Sequence, residues 1–181
     1  MPRVPVHTIE DAPEESRETL EALARRTGKV INIYGEMAHA PALLKAYVAM
    51  ENVLRAESSL GEPVRQAIHL TVANVNACDY CQAAYTGAAK AVGHSEEATL
   101  DIRRGEVPGD KRLTALLQVA RQVAADKGHV DDQVWKGAIE AGWTEAQLLE
   151  AYADVIRTIM TNYFNHMVGT ELDLRPAPPL D

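Results

Sequence analysis

The sequence is poor in the features that build sheets, membrane spans and nucleic-acid surfaces. Its 181 residues include one phenylalanine and two tryptophans, while alanine and leucine, which favour helices, are abundant. No apolar run reaches the roughly 18 residues of a membrane span, and the N-terminal stretch has no apolar signal core. Acidic residues outnumber basic ones by 26 to 18, without the basic patch of a nucleic-acid binder. We therefore expect a soluble, cytoplasmic, helical protein with no membrane or nucleic-acid partner.

Apolar residues recur with helical spacing along most of the chain, in segments bounded by proline, glycine and capping residues. A capping box, Thr144 with Gln147, precedes the last of these segments. Residues 29–40 read as an apolar connector with a helical turn, and the proline-rich tail reads as extended. The pattern predicts a single all-α domain over residues 1–181, with about eight helices: 13–26, 41–56, 63–75, 79–92, 95–104, 110–124, 131–141 and 145–165.

The two cysteines of the chain, Cys78 and Cys81, stand two residues apart in the stretch VNACDYCQAAYTG, residues 75–87. A zinc site would need a second pair of ligands, and neither cysteines nor the scattered histidines supply one. A thioredoxin-like motif would follow a strand, whereas the segment before Cys78 has helical period. A dithiol at a helix N-terminus and a pair of inert buried thiols both remain open.

The dithiol interpretation has a physical basis in the three-residue spacing. Two positions three apart on a helix bring their Cα atoms to roughly 5–6 Å, a distance that a disulfide can bridge. Free N–H groups and the dipole at a helix start favour a thiolate, and we expect Asp79 or a neighbour to cap this helix. An activated thiol can attack a peroxide or a disulfide and then close on its neighbour.

The stretch RQAIHLTVANVNACDYCQAAYTGAAKAVG resembles the AhpD-like alkylhydroperoxidases of the carboxymuconolactone decarboxylase superfamily, most strongly over residues 60–92. The segment TNYFNHMVGTELD is similar to the closing helix of the peroxidase-related branch. The resemblance implies an all-helical fold, assembly into trimers or hexamers, and thiol peroxidase activity without metal, haem or flavin. It further implies that Cys81 attacks a hydroperoxide, that Cys78 resolves the product as a disulfide, and that an external dithiol or reductant protein restores both thiols.

The family pattern, Glu-x11-Cys-x2-Cys-x3-His, is altered at two positions that form the family's proton relay. Gln66 stands at the place of the glutamate and Tyr85 at that of the histidine. Glutamine cannot accept a proton from a thiol, and tyrosine is a poor base at neutral pH, although it can donate a proton. We expect both side chains to lie near Cys81. His69, one turn after Gln66, is either a solvated or subunit-contact residue or a displaced relay base.

Two other functions remain open beside a peroxidase. The altered relay is consistent with a redox-responsive or binding scaffold that has little turnover. A decarboxylase or lactone-processing activity of the wider superfamily is also compatible with the resemblance, but that chemistry does not need a dithiol. The dithiol therefore favours the peroxidase interpretation.

Overall fold

The computed structural model describes residues 1–180, which form nine α-helices and no strand. The predicted all-α fold is confirmed, and a short helix, α2, occupies the segment predicted as a connector with one turn. The extended tail after the last helix is confirmed too. The helices are α1 (Glu14–Thr27), α2 (Asn32–Met37), α3 (Pro41–Glu57), α4 (Glu62–Val75), α5 (Asp79–Ala91), α6 (Glu96–Arg104), α7 (Lys111–Ala125), α8 (Asp132–Glu140) and α9 (Glu145–Val168).

Helix α4 is the central element of the fold. It packs against α5, α6, α7 and α9, and every residue from 65 to 73 is buried. A helix that is buried on all sides is usually apolar throughout. Here Arg65, Gln66, His69 and Thr71 are buried among the apolar residues of α4, so α4 carries polar groups into the interior beside the cysteine helix α5.

Helix α9 is the longest element and ends the helical part of the chain. The predicted capping box is present: Thr144 accepts from the backbone N–H of Gln147, whose side chain accepts from the backbone of Thr144. Beyond Gly169, which adopts a left-handed conformation at φ 77°, the tail runs back across the molecule. Asp173 in the tail binds Lys29 at 2.7 Å. Over residues 1–180 no helix is sufficiently long and apolar to cross a membrane.

Candidate functional site

The two cysteines lie at the N-terminus of α5, as predicted. The chain reverses after α4 through Ala77, whose φ of 51° is in the left-handed region. Cys78 then occupies the N-cap position, and its sulfur accepts from the backbone N–H of Cys81 at 3.4 Å. Of the two expected caps, Asp79 or a neighbour, the neighbour is present: the thiol of Cys78 occupies the cap position, and Asp79 is the first residue of the helix.

Two asparagines of α9 lie against the sulfurs. The side-chain amide of Asn165 donates to the Cys81 sulfur at 3.1 Å and reaches the Cys78 sulfur at 3.7 Å. One turn earlier, the Oδ1 of Asn162 accepts from Asn76 at 2.8 Å, while its buried amide nitrogen has no hydrogen-bond partner and acts to lower the pKa of Cys81. These N–H donors favour a negative charge on the thiol pair.

The two thiols together carry one negative charge near neutral pH. The hydrogen bond from the Cys81 thiol, the Cys81 backbone N–H and the Asn165 amide together lower the pKa of Cys78 to about 6, against the opposing effect of burial. The same thiol–thiolate hydrogen bond, followed by burial, raises the pKa of Cys81 well above its usual value. The pair therefore resembles a single acid that has lost its first proton by pH 7 and keeps its second.

A cavity of about 890 Å³ opens beside the cysteine helix. Cys81, Gln66 and Tyr85 all line it, so the structure brings together three of the predicted site residues. Cys78 is buried behind them and is 1% exposed. The thiol with direct access to the cavity is thus Cys81. The other lining residues that matter below are Tyr34, Tyr47, Glu51, Glu62, Tyr80, Arg157 and Thr161, and part of the tail, Leu174, Arg175, Pro176 and Pro178.

Tyr85 is held by a buried arginine that the sequence did not single out. Arg157, on α9, donates to the Tyr85 hydroxyl at 2.7 Å and, through its other terminal nitrogen, to the Tyr47 hydroxyl at 2.7 Å. Burial raises the pKa of Tyr85 although the Arg157 guanidinium opposes the rise, so this tyrosine keeps its proton at neutral pH. The Arg157 charge is balanced by Glu51, whose carboxylate lies 2.9 Å from its Nε.

Gln66 contacts a carboxylate one turn earlier on α4. Its side-chain amide donates to Glu62 at 2.7 Å, and Glu62 also receives a hydrogen bond from Arg65 at 3.2 Å. The Gln66 carbonyl oxygen Oε1 is buried and has no partner. The position that carries an acid in the family pattern therefore holds a buried, unpaired acceptor on a residue of the cavity wall, and the acid lies beside it.

His69 is neither solvated nor at the surface, so the expectation of a solvated or subunit-contact residue is wrong. It is 0% exposed, and its Nε2 donates to Asp154 at 2.8 Å. Burial lowers the pKa of His69, with a further contribution from Arg157, so the ring is neutral and its buried Nδ1 has no partner. The ring lies 5.2 Å from that of Tyr85, centroid to centroid, and His69 does not line the cavity.

Tyr80, between the cysteines, points toward the tail. Its hydroxyl donates to Asp173 at 2.8 Å, and burial followed by this carboxylate raises the pKa of Tyr80. The contact joins the cysteine helix to the segment that closes one side of the cavity. Among residues 1–180, no group of three or more His, Cys, Asp or Glu side chains is arranged to hold a metal ion.

Sequence reasoning missed Asn162, Asn165, Arg157 and Glu62. Three of them lie on α9, where the buried face is polar. A signal was present: Asp154, Arg157, Thr158, Thr161, Asn162 and Asn165 recur at helical spacing, and such a stripe can mark a polar site as well as a solvated face. Glu62 was hidden because it stands in the first turn of α4, where acids are ordinary.

Comparison with known proteins gives a family match and several related folds. Residues 41–122 match the carboxymuconolactone decarboxylase family. No curated protein sequence matches significantly. A structure from Ralstonia eutropha JMP134, an uncharacterized peroxidase-related protein with an alkylhydroperoxidase AhpD core, is 19% identical with a TM-score of 0.85, and the match covers 95% of this chain and 92% of that one.

Two other solved structures have the same fold at low identity. An uncharacterized peroxidase-related protein from Silicibacter sp. TM1040 is 20% identical with a TM-score of 0.80, over 97% of this chain and 91% of that one. The debrominase Bmp8, solved in complex with 2,3,4-tribromopyrrole, is 15% identical with a TM-score of 0.82, over 94% of this chain and 91% of that one. Such identities establish a shared fold and leave the chemistry to the site residues.

Proposed function

Residues 41–122 match the carboxymuconolactone decarboxylase family and the chain has an AhpD-like fold, and from this premise we propose that it is a member of that superfamily and a dithiol peroxidase for organic hydroperoxides. The observation that carries the proposal is the position of Cys81 on the cavity wall, with Cys78 directly behind it as a partner thiol. Donors from Asn165 and from the helix N-terminus support one thiolate in the cysteine pair at neutral pH.

The first step is attack of the Cys81 thiolate on the peroxide. The shared proton moves to Cys78, the Cys81 sulfur bonds to one peroxide oxygen, and the O–O bond breaks. Cys81 becomes a sulfenic acid and an alkoxide leaves. The buried Gln66 Oε1, which lacks a partner, is suited to accept the O–H of the hydroperoxide and to orient it. The Tyr85 hydroxyl supplies the proton that turns the alkoxide into an alcohol.

The second step closes the disulfide. The Cys78 sulfur attacks the Cys81 sulfur, the S–O bond breaks, and the hydroxyl leaves as water with the proton from Cys78. Tyr85 regains its proton from solvent. In the net reaction, one thiolate–thiol pair, one hydroperoxide and one proton are consumed, and a disulfide, an alcohol and water are formed. An external dithiol or a reductant protein returns the two electrons and restores the pair.

Peroxide consumption with dithiothreitol as the reductant tests the proposal. The wild type should consume cumene hydroperoxide, and Cys81→Ser should abolish consumption. Cys78→Ser should still react once and then accumulate sulfenic or sulfinic acid, because no resolving thiol remains. Mass spectrometry of wild-type protein after one equivalent of peroxide should show loss of two hydrogens in the peptide with both cysteines.

Two results would overturn the proposed peroxidase function. Disulfide formation without catalytic turnover would favour the scaffold interpretation, in which the site is oxidised but not regenerated. Sulfinic acid on one cysteine of the wild type, with no disulfide, would remove the resolving role of Cys78.

A second candidate is reductive removal of a halogen from a small aromatic ring. The specific observation is the cavity wall, where four tyrosines, Tyr34, Tyr47, Tyr80 and Tyr85, present rings on which a planar molecule can stack. The same dithiol would supply two electrons, so that aryl halide and two thiols give arene, disulfide and hydrogen halide. Incubating the reduced protein with 2,3,4-tribromopyrrole and measuring bromide release separates this candidate from the peroxidase.

A further inference from the structure

Arg157 is 5% exposed and contacts three groups on two other helices. It binds the Tyr85 hydroxyl from α5, and from α3 it binds the Tyr47 hydroxyl and the Glu51 carboxylate. A guanidinium has five N–H donors in a rigid fork and stays charged in any folded protein. Arg157 is therefore a fixed positive charge at the hydroxyl of Tyr85, on the wall of the cavity that Cys81 lines.

The direction of the Tyr85 proton follows from the donors around it. Arginine can only donate, so the Tyr85 oxygen accepts from Arg157. Thr161 gives its hydroxyl proton to the carbonyl of Thr158 at 2.9 Å, so in the contact between the hydroxyls of Thr161 and Tyr85, 3.2 Å apart, Tyr85 is the donor. This bond is long for two hydroxyl groups, whose usual separation is about 2.7–2.8 Å. The proton is thus held weakly and can turn to a bound substrate.

We infer that Arg157 is a positioning residue that lets Tyr85 act as the proton donor to the leaving oxygen, an inference that rests on the proposed peroxidase function. As the O–O bond breaks, charge develops on the leaving oxygen and passes to Tyr85 when its proton transfers. Arg157 faces that charge from 2.7 Å, in a site where little water is available to stabilise it. The Arg157–Tyr85 pair then supplies the acid function of the histidine in the family pattern. Tyr85 gives the proton, and Arg157 carries the positive charge.

Two oxidants with different leaving groups distinguish proton donation from a purely structural role, which would slow both reactions equally. An alkoxide from cumene hydroperoxide needs a proton, whereas the acetate that leaves peracetic acid is stable without one. Tyr85→Phe should slow single-turnover oxidation by cumene hydroperoxide by about 10²–10⁴-fold, the usual scale for a general acid, and slow the reaction with peracetic acid by less than about tenfold. Arg157→Lys keeps the charge but loses the fork, and should show the same selective loss, about tenfold or more.

Two further variants separate a local effect from general damage. The double variant Tyr85→Phe/Arg157→Lys should be no more selective than Tyr85→Phe alone, because Arg157 acts through the hydroxyl. Glu51→Gln/Arg157→Gln removes the two opposite charges together and avoids an unpaired buried carboxylate; it should repeat the selective loss. The ratio of the rates with the two oxidants does not depend on the fraction of folded protein, so it can be interpreted even for an unstable variant.

Equal losses with both substrates in the Arg157 variants, or no loss with either, would overturn the role of Arg157 and leave the peroxidase intact. An additional selective loss in Tyr85→Phe/Arg157→Lys would do the same, because Arg157 would then act on the substrate directly. A wild type that reacts with neither oxidant would overturn the proposed function and this inference together.

Discussion

At the scale of single residues, Asn165 adds to the ionisation of the thiol pair, whose largest cause is the hydrogen bond from the Cys81 thiol to the Cys78 sulfur. Its amide reaches both sulfurs, and the pKa of Cys78 is lowered to about 6. The wild-type rate should therefore fall as the pH drops through about 6, because protonation of Cys78 removes the negative charge that must pass to Cys81 for the attack. The rate should be nearly level at neutral pH, because the thiol pair is already ionised there.

Asn165→Ala should move this midpoint to higher pH by about one unit, since one N–H donor to a charged group is lost. Ultraviolet thiolate absorbance across a pH series measures the midpoint directly, and the peroxidase rate should follow it. Asn74→Ala is the matched control, because that amide donates to the carbonyl of Arg103 at 2.9 Å and not to a sulfur. A midpoint that stays in place in Asn165→Ala would contradict this account of the activated thiol.

Some site residues were predictable from the sequence because they are close together along it. Cys78, Cys81 and Tyr85 lie within two turns of one helix, and Gln66 lies on the preceding one; three of the four line the cavity. Asn165 and Arg157 come from α9, 84 residues after Cys81 in the first case and 72 after Tyr85 in the second. No local spacing encodes such a contact, which depends on how α9 packs.

At the scale of helices, α9 shows where apolar patterning misleads. Of its apolar positions, Leu148 and Val155 are buried, yet Leu149 is 63% and Tyr163 is 55% exposed. The buried face also holds Asp154, Arg157 and Asn162, each paired with groups from α3, α4 or α5 or from the turn after α4. A polar stripe inside a protein needs partners for every group, and those partners lie on other helices, so the sequence of α9 alone could not reveal which face is inside.

The turn between α4 and α5 allows a test of stored backbone strain. Ala77 has φ 51°, a conformation that costs a non-glycine residue about 1 kcal/mol. Ala77→Gly should raise the free energy of unfolding by about 0.5–1 kcal/mol in urea, despite the greater flexibility of glycine in the unfolded chain. The same exchange at Ala46, in the interior of α3 and exposed, should lower it by about 1 kcal/mol. Loss of stability at both positions would show that the turn is unstrained.

At the scale of the whole molecule, α9 presents an apolar ridge to solvent. The ridge consists of Leu149, Tyr152, Ile156, Tyr163 and Met167, which are 37–63% exposed and recur at helical spacing along 24 residues. Exposed apolar patches of this kind are typical of contacts between proteins. Together with the family resemblance, the ridge leads us to propose that the chain assembles into a symmetric oligomer, a trimer or a hexamer.

Sedimentation at micromolar concentration should give a species several times the chain mass of 19.8 kDa. Tyr163→Glu, in the ridge, should shift the protein toward monomer because it places a charge in an apolar contact. Ile139→Lys is the control, since Ile139 is exposed to a comparable degree, 38%, on α8, and it should leave assembly unchanged. A wild type that sediments as a clean monomer would end the proposal.

The contact between Glu62 and Gln66 also constrains how this sequence can evolve. The two side chains meet at 2.7 Å, so Gln66→Glu would set one carboxylate against another, and the pair would have to share a proton. The effect of an exchange at either position thus depends on the residue at the other. Mutational paths between this chain and relatives with an acid at position 66 are therefore biased in order: the second acid is gained at less cost after, or together with, loss of the charge at position 62.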